Sequence, residues 1–135
     1  NSTLPTSSVF SVGSLAGSNG SGNTYIAYLF ADSPGISKAG TYTGTGNAIN
    51  VDCGFTNGAR YILIKRTGGT GDWFVWDYAR GIVSGNDPYY KLNEGAAQVT
   101  NTDYVDPLNA GFTVTASAPA ALNNSGDNYI FFAIA

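Results

Sequence analysis

Aromatic residues crowd one stretch of the chain: Trp73, Trp76, Tyr78, Tyr89, Tyr90 and Tyr104, with the charged pair Asp77 and Arg80 among them. Rings with an apolar body and a polar tip suit stacking on the face of a sugar. A carboxylate and a guanidinium beside them supply acceptors and donors for hydroxyl groups. Strand alternation divides "DWFVWDYAR" into two faces. Trp73, Val75 and Asp77 share one, and Phe74, Trp76 and Tyr78 share the other. The all-aromatic face is expected to pack a core, which leaves Trp73 as the exposed ring. The candidate ligand site is therefore Trp73 with Asp77, Arg80 and the pair Tyr89 and Tyr90. The plainer reading is that the rings fill a core or a subunit interface. Asp77 and Arg80 would then be an ion pair fixing the turn into "GIVSGNDP".

Other chemistries have less to stand on. Histidine is absent, which removes the commonest general acid or base and the commonest transition-metal ligand. Glu94 is the only glutamate, and the aspartates sit mostly in turn contexts, a poor basis for a glycosidase carboxylate pair. No G-x-S-x-G elbow occurs. The expectation is a non-enzymatic protein. The stretches 84–88 and 101–107 carry Asp and Asn oxygens, but calcium wants several converging carboxylates. Both read equally as Asx turns before proline, so no metal and no cofactor is expected. Six Lys and Arg in a chain of net charge −3 form no basic stripe, so no nucleic acid is expected. No apolar run reaches the ~18 residues of a membrane helix, so no membrane insertion is expected. Cys53 is alone, which rules out an intrachain disulfide, and it reads as a buried strand residue. Only 11% of residues are charged, which suits an extracellular or particle-bound protein better than a cytosolic enzyme. Glycosylation sequons stand at Asn1, Asn19 and Asn123.

The elements that must position these residues are short. Helical periodicity is nearly absent, and the apolar runs are β-branched or aromatic, bounded by Gly, Asn, Asp and Pro. Strands are expected near 9–13, 24–31, 40–45, 48–55, 59–67, 72–79, 89–92, 96–100, 111–116 and 128–135. "ARYILIKRT" and "DWFVWDYAR" flank "GGTG", which reads as a hairpin loop whose glycines can take positive φ. One all-β domain over 1–135 is expected, an antiparallel β-sandwich or jelly roll with essentially no helix, preceded by a flexible or linking segment at 1–8.

An internal repeat crosses that plan. "FSVGSLAGSNGSGNTYIAYLFA" at 10–31 returns as "FTVTASAPAALNNSGDNYIFFAIA" at 112–135. Phe10, Val12, Asn19, Ser21, Gly22, Tyr25 and Ile26 match Phe112, Val114, Asn123, Ser125, Gly126, Tyr129 and Ile130. Two of the sequons fall at equivalent places, so shared turn chemistry explains them without a glycan. The hairpin 9–31 is thus repeated at 111–135, and each copy reads as strand, polar loop, strand. Tyr25 to Phe30 and Tyr129 to Ala135 are apolar on both faces, as central strands are. The first hairpin could lie beside the second in the same molecule or complete a neighbouring subunit.

The succession of Gly54-Phe55, Lys65-Arg66, Trp73 to Asp77, Arg80-Gly81, Gly111-Phe112 and Asn123 to Tyr129 resembles a known family. It is the β-sandwich domain found near the C-termini of tail-fibre-like proteins of marine and freshwater phages, grouped with concanavalin-like or laminin-G-like jelly rolls. "NGSGNTYIAYLFA" and "YTGTG" are similar to the same proteins, so the resemblance covers most of the chain. Asn57 stands where the family often has proline, which touches a turn. The resemblance implies a virion-surface, extracellular protein of tail-fibre or capsid-decoration type. It would act by assembly as a homo-oligomer, a trimer or larger array with other virion proteins, and by lectin-like binding of host surface polysaccharide. The alternative is a purely structural filament or cement subunit that exchanges its terminal hairpins. Loss of 128–135 is expected to unfold the protein, and loss of 24–31 to be as severe if that hairpin packs within its own chain.

Overall fold

The computed structural model describes residues 3–135. Eight strands are present: β1 Ser37–Thr43, β2 Ile49–Asp52, β3 Tyr61–Arg66, β4 Trp73–Asp77, β5 Tyr90–Lys91, β6 Val105–Leu108, β7 Gly111–Val114 and β8 Asn128–Ile134. Two four-residue helical turns accompany them, α1 Ala16–Asn19 and α2 Ala120–Asn123. The strands form a five-stranded sheet in the order β1-β8-β3-β4-β5 and a three-stranded sheet in the order β2-β7-β6. Every pairing is antiparallel. The fold is an all-β sandwich.

Alternation along the strands builds the layer between the sheets. Ile62, Ile64, Phe74 and Trp76 point inward from β3 and β4 and meet Val105, Phe112 and Val114 of the small sheet. Leu122 of α2 and the Tyr89 ring fill the ends of this layer. Cys53 is buried, as its sequence context implies. β8 is central, paired to β1 on one side and β3 on the other. Its inner residues Tyr129, Phe131 and Ala133 are buried, and so is Phe132 on the outer face. Tyr42 and Tyr129 stack with ring centroids 4.9 Å apart. Gly40 lies directly under Phe131: an added Cβ there would stand 2.6 Å from the ring. A bare residue in β1 is what lets the ring lie flat.

The β3–β4 hairpin is as the sequence implied, although the loop glycines Gly68, Gly69 and Gly71 are not among those with positive φ. Several expectations are corrected. The segments 9–13 and 24–31 are not strands. They run as largely exposed chain on either side of α1, outside both sheets, and 24–31 is not central. The physical reason is that β8 has filled the place between β1 and β3 that such a strand would need. Only Phe30 makes a ring contact with the sandwich, 4.3 Å from Phe132 between centroids. The strand expected at 96–100 shrinks to a single bridge between Tyr89 and Val99. β6 was missing from the expectation because Asp106 and Pro107 interrupt its apolar pattern. Its place at the edge of the small sheet tolerates a proline without an N–H. The sequence reading also put Tyr78 in the core, whereas it is exposed.

These positions set the outcome of truncation. Each large buried side chain lost from β8 costs about 2–5 kcal/mol, and several together exceed the ~5–15 kcal/mol of an ordinary domain. Deleting 128–135 is expected to abolish cooperative melting in circular dichroism. Deleting 1–31 is expected to preserve it, because those residues contribute no strand to either sheet.

Candidate functional site

The outer face of the five-stranded sheet carries the site. Register places Trp73 beside Lys65, Val75 beside Leu63, and Asp77 beside Tyr61. Tyr90 of β5 pairs with Val75, and Phe132 of β8 pairs with Leu63. Leu63, Val75 and Phe132 are buried on this outward face, with Tyr61 and Tyr90 packed against them. Residues 28–30 pass over the same face. A groove of about 650 Å³ is left between Tyr28, Phe30, Tyr61, Leu63, Trp73, Leu92 and Asn93. That volume suits a small ligand.

Trp73 is 38% exposed and borders the groove. Its backbone N–H donates to Asn93 Oδ1 at 2.9 Å, and Asn93 Nδ2 donates to Asp72 at 2.9 Å. Lys91 Nζ reaches Asp72 at 2.7 Å and Glu94 at 3.1 Å. The Lys91 hydrogen bond, helped by Asn93, holds the Asp72 carboxyl below its ordinary range. The same bond to Asp72, then that to Glu94, pushes the Lys91 ammonium above its own. This charged network fixes the rim on which Trp73 stands.

Asp77 and Arg80 form an ion pair, and the Arg80 backbone N–H also donates to Asp77 Oδ1 at 3.0 Å. The Arg80 guanidinium lies 4.6 Å from the centroid of the Tyr90 ring. Trp73 and Asp77 stand four residues apart on one strand, about 13 Å. The structure therefore brings Asp77, Arg80 and Tyr90 together at one end and places Trp73 at the other. Tyr61 joins them, since it pairs with Asp77 and lines the groove.

Tyr89 is corrected out of this set. It is buried between Phe74, Trp76 and Tyr104 in the core. Neighbouring residues of an extended chain point to opposite faces, so Tyr90 faces outward while Tyr89 cannot. Sequence reasoning missed Tyr61, Leu92 and Asn93, and it treated Tyr28 and Phe30 as parts of a covered strand. Alternation along β3 was the available signal for Tyr61. No sequence signal marked residues 28–30 as a groove wall.

Asp87, in the loop read as an Asx turn, is also missed. It is fully buried. Its carboxylate accepts from Trp76 Nε1 at 2.9 Å, Tyr104 N at 3.0 Å and Val105 N at 3.0 Å. Burial pushes its carboxyl up to about 6 against the pull of those donors. Burial likewise pushes the Cys53 thiol up to about 11. Asn123 is also buried: Nδ2 donates to Asn47 O and Thr115 O, and Oδ1 accepts from Thr45 N and Gly46 N. A glycan on that nitrogen is incompatible with these bonds. Asn19 is exposed and its Nδ2 donates to Gly13 O, and Asn1 lies outside the described residues. Among the described residues, no three His, Cys, Asp or Glu side chains cluster as a metal site would require.

A family model described as a domain of unknown function (DUF7483) matches residues 1–135. The chain belongs to that family. No curated protein and no solved structure matches it. The rings of Tyr28, Phe30, Tyr61 and Trp73 would hold a flat, partly apolar ligand, with the Asn93 amide beside them, while the Asp77–Arg80 pair lies outside the groove lining.

Asp87 generates two predictions. A carboxyl that titrates near 6 when folded and near 3.9 when unfolded binds more protons in the native state between those values. Its contribution therefore favours folding below pH 4 and is lost as pH rises through 6. Denaturant melts should show this segment of the pH profile sloping downward by about 2–3 kcal/mol in total. Asp87→Ala should flatten that slope. It should also cost about 3 kcal/mol or more, because three buried donors lose their acceptor.

Proposed function

We propose that this domain is a non-enzymatic phage virion-surface module, of tail-fibre or capsid-decoration type, that binds host surface polysaccharide through its outer groove. The observation that carries the binding reading is the half-exposed Trp73 ring, set across the groove from Tyr28 and Phe30 with Asn93 beside it. A pyranose offers an apolar face of C–H groups and a rim of hydroxyls. Indole and phenol rings take the first and amide or carboxylate groups take the second. The virion assignment is supported by the motif order described above, from Gly54-Phe55 to Asn123–Tyr129. A binding surface made of repeated copies raises avidity, which accords with a homo-oligomer on a particle.

A second reading is a purely structural subunit. It is favoured by the exposed Leu15, Ile26, Tyr28 and Leu29, an apolar surface suited to contact with another protein. Light scattering at rising concentration would show a trimer or larger array under either reading.

Titration against a panel of bacterial surface polysaccharides separates the two. Trp73→Ala is expected to weaken binding by about tenfold or more, the loss of one stacked ring. Asp77→Ala is expected to alter selectivity among sugars at constant fold. Unchanged binding by Trp73→Ala would move the site elsewhere, and no binding by the unmodified protein would leave the structural reading.

A further inference from the structure

The segment 10–31 matches 112–135 in more than sequence. In the second copy, the Tyr129 hydroxyl donates to the carbonyl of Ala120, nine residues upstream, at 2.7 Å. It accepts from the N–H of Asn124, five residues upstream, at 2.8 Å. In the first copy, the Tyr25 hydroxyl donates to Ala16, nine residues upstream, at 2.6 Å, and accepts from Gly20 N, five upstream, at 2.7 Å. α1 and α2 close with the same bonds, Asn19 N to Leu15 O and Asn123 N to Pro119 O, both 2.9 Å. Asn19 Nδ2 donates back to Gly13 O as Asn123 Nδ2 does to Thr115 O. The following turn has Gly22 at φ 78° where the other has Gly126 at φ 85°.

The difference lies in what surrounds the two copies. Phe112, Val114 and Tyr129 are fully buried, whereas Phe10, Val12 and Tyr25 are 49%, 49% and 46% exposed. Segments 9–13 and 24–31 belong to no sheet, so their ladder groups lack the strand partners that β7 and β8 have. The loop that joins the two arms has therefore formed, while the sheets that the arms would join are not supplied by this sandwich. An edge of its own small or large sheet is no substitute, because β7 and β8 are paired on both sides, β7 with β2 and β6 and β8 with β1 and β3, whereas an edge offers a partner on one side only.

We infer that residues 10–31 are the closing hairpin of a second β-sandwich of this same fold, and that they dock between its strands equivalent to β2 and β6, and to β1 and β3. The recipient is not a swapped identical copy. In the inward row, Ala27 stands where β8 has Phe131, and Leu29 stands where it has Ala133. Seated here, Ala27 would leave a hollow over Gly40, and Leu29 would overfill the place of Ala133, which is fully buried. The recipient must carry a larger residue at the Gly40 position and more space at its neighbour.

A tandem chain tests this. Residues 32–111 are placed directly ahead of residues 10–135, so that 10–31 follow Gly111 as 112–135 do in the native order. One form keeps the native hairpin, and a second carries Ala27→Phe with Leu29→Ala to match this recipient. Chymotrypsin cleavage at 25–30 is followed by intact mass, with the 135-residue protein as reference and the 32–135 melting transition as internal control. Cleavage of the matched form should slow by about tenfold or more and a second cooperative transition should appear. The native form should be protected to a lesser degree, and adding Tyr25→Ala to the matched form should remove the protection. Cleavage of both forms as fast as in the 135-residue protein, with the control transition intact, would overturn the inference.

Discussion

The two sheets of this sandwich are tied by one buried carboxylate. Asp87 takes the indole N–H of Trp76 from the large sheet and two backbone N–H groups at the start of β6 in the small one. Trp76 and Val105 are fully buried, so bulk water cannot replace that acceptor. Burying a charge is costly, and the expense is offset only because all three donors converge on it. Everything on the inner face of β4 follows from this anchor: Trp76 is fixed, Phe74 stacks along it at 6.0 Å between centroids, and Tyr89 closes over both.

Fixing the inner face of β4 fixes the outer face by alternation. Trp73, Val75 and Asp77 cannot turn inward while Phe74 and Trp76 are held. Val75 is then covered by neighbours on its own face, and Trp73 and Asp77 are left at the two ends with rings between them. The groove is in this sense a by-product of the core. It has rigid floor strands, a rim braced by Lys91 between Asp72 and Glu94, and one wall supplied by residues 28–30. A wall made of chain outside the sheets is the part of the site most open to displacement.

The strands with long β-branched and aromatic runs were legible in the sequence: β3, β4 and β8, with the exposure of Trp73 and the Asp77–Arg80 pair. β6 was hidden by Pro107, whose cost depends on whether its strand is at an edge, which composition does not tell. The segment 24–31 was misread for a deeper reason. Its apolar pattern is that of a central strand, and pattern specifies the kind of partner a strand wants without saying which molecule supplies it. Asp87 looked like turn chemistry because Asn86 and Pro88 flank it. Its acceptor role depends on Tyr104 and Val105, brought near only by the fold.

The tyrosine lock of the closing hairpin has a kinetic meaning. Its bonds span nine and five residues, so it can form from local contacts well before the long-range pairing of β8 with β1. In 10–31 it persists without any sheet. A hairpin that is shaped before it is docked removes part of the ordering cost from the docking step. It also creates a hazard where several such hairpins lie along one polypeptide, since each is a plausible partner for every open sandwich. The exchange of bulk between Ala27 with Leu29 and Phe131 with Ala133 acts as a sorting code. A hairpin inserted into the wrong sandwich meets either a void or a collision, and it leaves again before the sheet can zip around it.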